Sequence, residues 1–396
     1  MGNMIIDGKK NMKSYEEIAE ETTKILTENT GWIERYKKYY NEICRNSKFV
    51  TLTMHSFRAK DPLTKYLSIG RVVDSSNTVS IDLRINGHSI ASYSTELKDD
   101  IKNAMHNKES DAEIKKLIRK NSSLQFKSSG LKKVASSDES IKNDFESLAD
   151  KYGDSTIPWN SKKASDFRKA IRIESKSTHS EHTIESQLLK RLSSSESQGK
   201  PIVSIQPIKL CDAFFQLVTP LKASEAGSKN KVEYSKDKEG RDHSGGGIDI
   251  LARVIKENNN AELCVIELKD NYLENENPTL AVKQAIAYAT FIDHLIRSEE
   301  ARGKDWEKNI FGIGKAIDGT ITINAMVAMP YENIDNGISE DDKALANYKI
   351  PLKNGDIIEL HYFFFDKYRL YDDDMKASCS LKTRKRGSAN LNDMNT

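Results

Sequence analysis

Two apolar runs in the second half of the chain, residues 248–255 and 261–268, are separated by Lys256-Glu257-Asn258-Asn259-Asn260. Each run has the length of a strand, and the polar, Asn-rich segment between them suits a hairpin loop. Side chains alternate faces along a strand, so Asp249, Leu251 and Arg253 share one face and Ile248, Ile250, Ala252 and Val254 the other. On the second run Leu263, Val265, Glu267 and Lys269 line up, opposed by Cys264, Ile266 and Leu268. Closing the hairpin about its loop brings Asp249 beside Glu267, within a register error of a residue or two.

Helical spacing appears on both sides of this hairpin. Residues 180–192 place Ile184, Leu188, Leu189 and Leu192 on one apolar side. Residues 279–298 predict a long helix, with Pro278 just before its start and Ala281, Gln284, Tyr288, Phe291 and Leu295 on one stripe. A strand is predicted at 202–208, with 214–218 as a further candidate, and apolar strands at 321–329 and 357–365. The first part of the chain reads as helices at 15–27 and 32–44 and a strand at 49–54. A hairpin follows, with strands at 79–83 and 89–93 flanking Asn86-Gly87, a type I′ turn signal. Lysine-rich helices run to about Lys120. Residues 121–140, rich in Ser and Lys, read as a linker. Residues 223–244 read as a mobile loop bordering the hairpin's charges. Residues 377–396 read as a disordered tail with the basic cluster Lys382-Thr383-Arg384-Lys385-Arg386.

The hairpin carries the chemistry. Gly245-Gly246-Gly247 precedes Ile248-Asp249-Ile250, and the second strand ends in Glu267-Leu268-Lys269-Asp270. Two carboxylates near one point can hold a hard divalent cation, and a Lys two residues further on can work on an attacking water. That combination suits a metal-dependent phosphodiesterase. The glycines permit close backbone approach by a phosphate. A hairpin with one solvated face would carry the same charges without any function. The apolar character of both strands weighs against that, because charges there need a partner or an ion to offset their desolvation.

Asp249, a gap of seventeen residues and Glu267-Leu268-Lys269 resemble the signature of the PD-(D/E)XK nuclease superfamily. The flanking elements match that family's core order of helix, three strands, helix, strand, over roughly residues 176–370. The resemblance implies an α/β fold: a restriction-endonuclease-like mixed central sheet flanked by helices, preceded by a small α+β N-terminal domain. It implies that Asp249 and Glu267 ligate Mg2+, with Mn2+ able to substitute, together with the Leu268 carbonyl. Lys269 would orient or deprotonate the water, or stabilise charge developing on phosphorus. A further Glu from the first core helix would be Glu185, with Glu181 one turn earlier as the alternative. The strand Asp is preceded by Ile248 where the family often has Pro. Gln284 and Tyr288 resemble the Q-x3-Y helix motif of the RecB-like branch, where these side chains support the active site or touch DNA. Their other reading is a partly exposed Gln and a core Tyr.

The division implied is a recognition or regulatory domain at 1–120, a linker with connecting helices at 121–175, a nuclease domain at 176–375 and the tail at 376–396. With 396 residues and 37% hydrophobic content there is material for two cores. A formal charge of +2 excludes a global basic field, so DNA contact would rest on local patches. Candidates are Lys115-Lys116 with Arg119-Lys120, and Lys162-Lys163 with Arg168, Lys169 and Arg172, though each is also an ordinary solvated helix face. Cys44, Cys211, Cys264 and Cys379 are scattered, which argues for a reducing cytoplasm and against a disulfide framework, a zinc site or the branch's iron–sulfur cluster. No stretch has the apolar length of a membrane span, and the start lacks a signal peptide's apolar core. The expectation is a soluble cytoplasmic Mg2+-dependent DNA endonuclease, in restriction or phage defence, acting as a homodimer or larger assembly. A RecB-like processing exonuclease and a non-catalytic nucleic-acid-binding protein of the same fold are the alternatives.

Overall fold

The computed structural model of the chain describes residues 13–57, 63–68, 77–137, 142–171, 181–193, 205–211, 213–256, 261–270, 277–313, 319–331, 339–346, 348–365 and 377–381. The described residues form a mixed α/β structure around two seven-stranded mixed sheets. No helix among them is long and apolar enough to cross a membrane.

Helix α1 (Tyr15–Glu28) starts on a capping box in which Ser14 Oγ accepts from the Glu17 N–H and the Glu17 carboxylate accepts from the Ser14 N–H. Helix α2 (Gly31–Arg45) follows, and then α3 (Ser47–Ser56). The strand expected at 49–54 is therefore part of a helix. Phe49, Val50, Leu52, Thr53 and Met54 are all buried, so burial there does not alternate. Such a short apolar run fits either element by pattern, and packing on several sides decides.

Strands β1 (Thr64–Ser68), β2 (Thr78–Ile85) and β3 (His88–Glu96) come next. The β2–β3 turn puts Asn86 at φ 48° and Gly87 at φ 73°, the two left-handed positions of a type I′ turn. Helices α4 (Asp99–His106) and α5 (Asp111–Asn121) lead into β4 (Ser122–Phe126) and α6 (Ser128–Ser137). Residues 121–140 are thus no linker over their described part. Leu124 and Phe126 alternate inward from β4, and Leu131, Val134 and Ala135 pack beneath α6, while the Ser and Lys residues that suggested a linker lie mostly outside this core. Helix α7 (Lys142–Tyr152), β5 (Thr156–Pro158) and α8 (Lys162–Ala170) close this part.

Helix α9 (Glu181–Ser193) opens the second half, with β6 (Ile205–Pro207), β7 (Lys209–Leu210) and β8 (Ala213–Gln216) after it. A two-stranded ribbon pairs β9 (Leu221–Lys222), just before the segment expected to be a mobile loop, with β10 (Glu233–Tyr234) inside it. Ala223, Ala226 and Val232 are buried there. The hairpin forms as β11 (Ile250–Ile255) and β12 (Ala261–Leu268). Helix α10 (Pro278–Arg297), capped by Asn277 with Pro278 at its first position, leads to α11 (Gly303–Asp305), β13 (Thr322–Pro330) and α12 (Glu340–Lys343). Strands β14 (Lys349–Pro351), β15 (Ile357–Phe365) and β16 (Ala377–Cys379) end the order. The expected tail therefore begins as an edge strand, β16 pairing antiparallel with β15 and Leu381 buried behind it. The basic cluster 382–386 lies outside the described residues.

The first sheet runs β5-β4-β3-β2-β1-β8-β7 and the second β14-β15-β13-β12-β11-β6, with β16 on β15. The candidate strand at 214–218 thus joins the first sheet, where β8 lies parallel to β1 with Tyr66 opposite Phe214. Only β6 adds to the hairpin's sheet, antiparallel to β11. Strands β12 and β13 are parallel, so the chain between them must cross over, and α10 does so. A boundary near residue 120 does not divide the packing either. Trp32 and Tyr36 of α2 meet Phe291 of α10 at ring distances of 5.7 and 5.0 Å, and Tyr40 meets Trp306 at 5.8 Å. Truncating Phe291, which is fully buried, to Ala should cost about 3–5 kcal/mol. Urea denaturation should show that loss in a single transition, because these aromatic contacts tie α2 to the second sheet.

Candidate active site

Pairing register places the two carboxylates. Strands β11 and β12 pair Ile250 with Ile266 through to Ile255 with Ala261, so one step beyond the ladder sets Asp249 opposite Glu267. The Leu268 N–H donates to Asp249 Oδ2 at 2.9 Å and closes that end of the hairpin. The faces divide as alternation predicts. Ile250, Ala252, Cys264, Ile266 and Leu268 pack with Ile184, Leu188, Leu189 and Leu192 of α9. Leu251, Leu263 and Val265 pack in the larger core with α10. Glu267, in phase with Val265, faces the α10 side.

Ile248 departs from this alternation by joining the larger core. Residues 245–248 are stitched to 217–221, with Gly245 N–H donating to Thr219 O at 2.7 Å, Gly246 N–H to Leu221 O at 2.6 Å and Ile248 N–H to Leu217 O at 3.0 Å. The glycines serve this close packing. A Cβ on Gly245 would strike the Leu221 carbonyl, and one on Gly246 would strike the Tyr288 hydroxyl. The space expected for a phosphate at Gly246 is filled by Tyr288. At Gly247 the nearest atom to such a Cβ is Gln216 Nε2 at 3.6 Å.

Tyr288 is buried on α10, and Gln284 one turn before it donates through Nε2 to its hydroxyl at 3.5 Å. Burial raises the Tyr288 hydroxyl pKa strongly, and the Glu267 and Asp249 charges raise it further, so Gln284 and Tyr288 border the carboxylates.

Glu267 is 2% exposed. Lys269 Nζ donates to its Oε1 at 2.9 Å, while Oε2 is buried without a partner among the described residues. Burial pushes Glu267 up to about 7, with Lys269 acting in the opposite direction. For Asp249 burial is again the main cause, with the Glu267 and Glu185 charges added, and its pKa stands well above the usual carboxylate range. Burial opposes the charge on Lys269, but the Glu267 carboxylate outweighs it and the ammonium is held more firmly protonated than usual.

Glu185 is 5% exposed on α9. Its Oε2 lies 3.8 Å from His182 Nδ1, and its Oε1 is buried without a partner among the described residues. Sequence spacing left Glu185 and Glu181 unresolved, and both reach the site. Glu185 acts on Asp249 more strongly than Glu181 does. Glu181, its own pKa raised by burial, acts on Lys269.

The arrangement gathers excess negative charge in a desolvated place, which is costly unless a cation offsets it. No three His, Cys, Asp or Glu side chains among the described residues are grouped to hold a metal ion by themselves. Mg2+ is commonly bound by one or two carboxylates with water and substrate oxygens completing its shell. Asp249 and the Oε2 of Glu267 that lacks a partner among the described residues fit that chemistry, while Glu185 acts on Asp249 without joining a three-carboxylate group.

Sequence reasoning missed the polar group that the first sheet brings to this place. Arg84 of β2 bonds through Nη2 to Gln216 Oε1 at 3.0 Å and acts on Glu185. No spacing rule links residue 84 to residue 185. Both sequence-derived lysine patches are put to other uses in part. Arg119 Nε donates to Ser56 O at 3.1 Å, and Arg168 stacks over Trp159 at 3.9 Å. Helix α8 packs by β5, at the opposite end of the first sheet from β8 and β7. Five strand steps at about 4.8 Å put that edge roughly 24 Å from β8.

The raised carboxylates give a signed expectation for stability. Glu267 titrates near 7 when folded against 4.5 as its ordinary value, so its stabilising contribution is complete below about 4.5 and is lost as pH rises through about 7. Glu267→Gln imitates the protonated form. Melting temperatures in EDTA should therefore fall for the wild type relative to E267Q between pH 5 and pH 8.

Compared with family models, curated proteins and solved structures, the chain matches none.

Proposed function

We propose that the chain is a Mg2+-dependent deoxyribonuclease with a restriction-endonuclease-like core, an endonuclease of restriction or phage defence. The observation that carries the reading is the pair Asp249 and Glu267, opposed by strand register, with Glu267 Oε2 buried without a partner among the described residues and Lys269 bonded to the same carboxylate. With β7 to β10 inserted outside the second sheet and α11 before β13, the order α9, β6, β11, β12, α10, β13 supports it, being the helix, three strands, helix, strand of the family that the motif resembles. Tyr288 and Gln284 beside the carboxylates add support from the following helix.

Asp249 and Glu267 would hold the ion, with the Leu268 carbonyl as a further ligand; the Leu268 N–H already fixes the Asp249 carboxylate. A bound Mg2+ or Mn2+ supplies Lewis acidity toward a phosphate oxygen and lowers the pKa of a water. Lys269 stays protonated beside Glu267, which suits it to orient the attacking water and stabilise charge on the phosphorus rather than to accept a proton. Tyr288 and Gln284 hold the α10 side of the site. A cutter of both strands needs two such sites, so the reading includes a homodimer or larger assembly.

Supercoiled plasmid and linear duplex should be cleaved in Mg2+ or Mn2+ and spared in EDTA. Asp249→Ala, Glu267→Ala and Lys269→Ala should each reduce the rate at least about 100-fold. The Gln284–Tyr288 pair favours a second reading, a RecB-like exonuclease. Degradation of linear DNA with the circle left intact would select it. Tight DNA binding with no cleavage in either metal would refute both in favour of a non-catalytic binding protein.

A further inference from the structure

The tip of the first sheet's hairpin reaches the start of α9, the helix that carries Glu185. A Cβ on Gly87, at the tip of β2–β3, would collide with the backbone of His182 at the start of α9. Tyr66 of β1 is buried in the core cluster that contains Ile184, Leu188, Ile250 and Ile266, so the first sheet is built into the wall behind the candidate site. Arg84 stands on that wall. Its guanidinium lies 4.1 Å above the Tyr66 ring, its Nε donates to Asp82 Oδ2 at 2.7 Å and its Nη2 to Gln216 Oε1 at 3.0 Å. Gln216 Nε2 in turn lies 3.6 Å from where a Cβ on Gly247 would stand, two residues before Asp249.

This network sets two cations against Asp82 and Glu185. Asp82 already accepts from Lys127 Nζ at 2.7 Å and from the Ser89 hydroxyl. Asp82 thus faces two cations, Lys127 and Arg84, and Arg84 has Glu185 as a second carboxylate acting on it. The guanidinium is held flat by an aromatic ring and two hydrogen bonds, which use two of its five N–H donors. A planar fork oriented in advance, with N–H donors that these two bonds leave unused, is suited to a phosphate, which it can bind through paired hydrogen bonds.

We infer that Arg84 is a substrate-binding residue, its guanidinium gripping a phosphodiester oxygen of the DNA strand that crosses Asp249, Glu267 and Lys269. The inference rests on the nuclease reading for its substrate and adds that the site is composite, with the first sheet supplying the phosphate clamp. Gln216 and Tyr66 position the clamp without touching DNA, and Asp82 fixes its plane.

The test uses the full chain as wild type, Arg84→Gln and Arg84→Lys, each checked by thermal unfolding. Affinity for a duplex oligonucleotide is measured in EDTA over a range of salt concentrations, apart from any catalysis. Loss of one phosphate contact should reduce the slope of log K against log salt by about 0.9 in R84Q. R84K should keep the slope, because its charge remains, and still cleave about tenfold more slowly in Mg2+, because the fork is gone. An unchanged slope in folded R84Q would overturn the inference. If R84Q does not fold, cleavage by R84K at the wild-type rate would overturn it. A slope that depends on Arg84 in a wild type that cleaves nothing would uphold the clamp and sink the nuclease reading. No DNA binding by the wild type would sink both.

Discussion

Negative charge held out of water is the constraint around which the second half of this chain is arranged. Strands apolar enough to form the centre of a sheet end in Asp249 and Glu267, and burial raises the pKa of both. A buried carboxylate costs free energy unless it is paired, protonated or bound to a cation. One oxygen of Glu267 is paired with Lys269 and the other is not. Glu185 adds a second unpartnered oxygen from α9, on the opposite face of the sheet. Such a cluster is unfavourable by itself. It suits a site completed by something positive, and the proposed nuclease takes its chemistry from that.

The two sheets share the task of building this place. Strand β8 leaves the second half of the chain to lie parallel to β1 in the first sheet, and the segment after it, 217–221, bonds to the glycines before Asp249. The position of Asp249 therefore depends on both sheets. Helices α1 and α2 reinforce the union from the other side by packing on α10, the helix that carries Gln284 and Tyr288. At Gly246 the absence of a side chain lets the Tyr288 hydroxyl approach the strand backbone.

Much of the candidate site is legible in the order of residues alone. Period-two alternation and an Asn-rich loop bring Asp249 beside Glu267 to within a residue or two, and the ladder fixes the exact opposition, since a one-residue slip would send apolar side chains to the wrong face. Helix α10, with its proline start and apolar stripe, and β15, at 357–365, are also plain. Elements held by their neighbours are not. Residues 49–54 alternate well enough for a strand and form a helix because neighbours cover more than one of its sides. Residues 121–137, polar in composition, form β4 and α6 because a few apolar residues at the right spacing outweigh the serines.

The sequence by itself determined the local pairing that brings the carboxylates and Lys269 together, because those residues lie within one hairpin and backbone periodicity dictates their faces. It also specified the turn at Asn86-Gly87, where only a few residue types accept left-handed backbone. Only the tertiary structure decided which sheet β8 would join, that Gly246 would make room for Tyr288 rather than for a ligand, and that Arg84 would stand beside Glu185. Those outcomes depend on contacts between residues far apart in the chain. No periodicity records such contacts, because they arise from the packing of completed faces against one another.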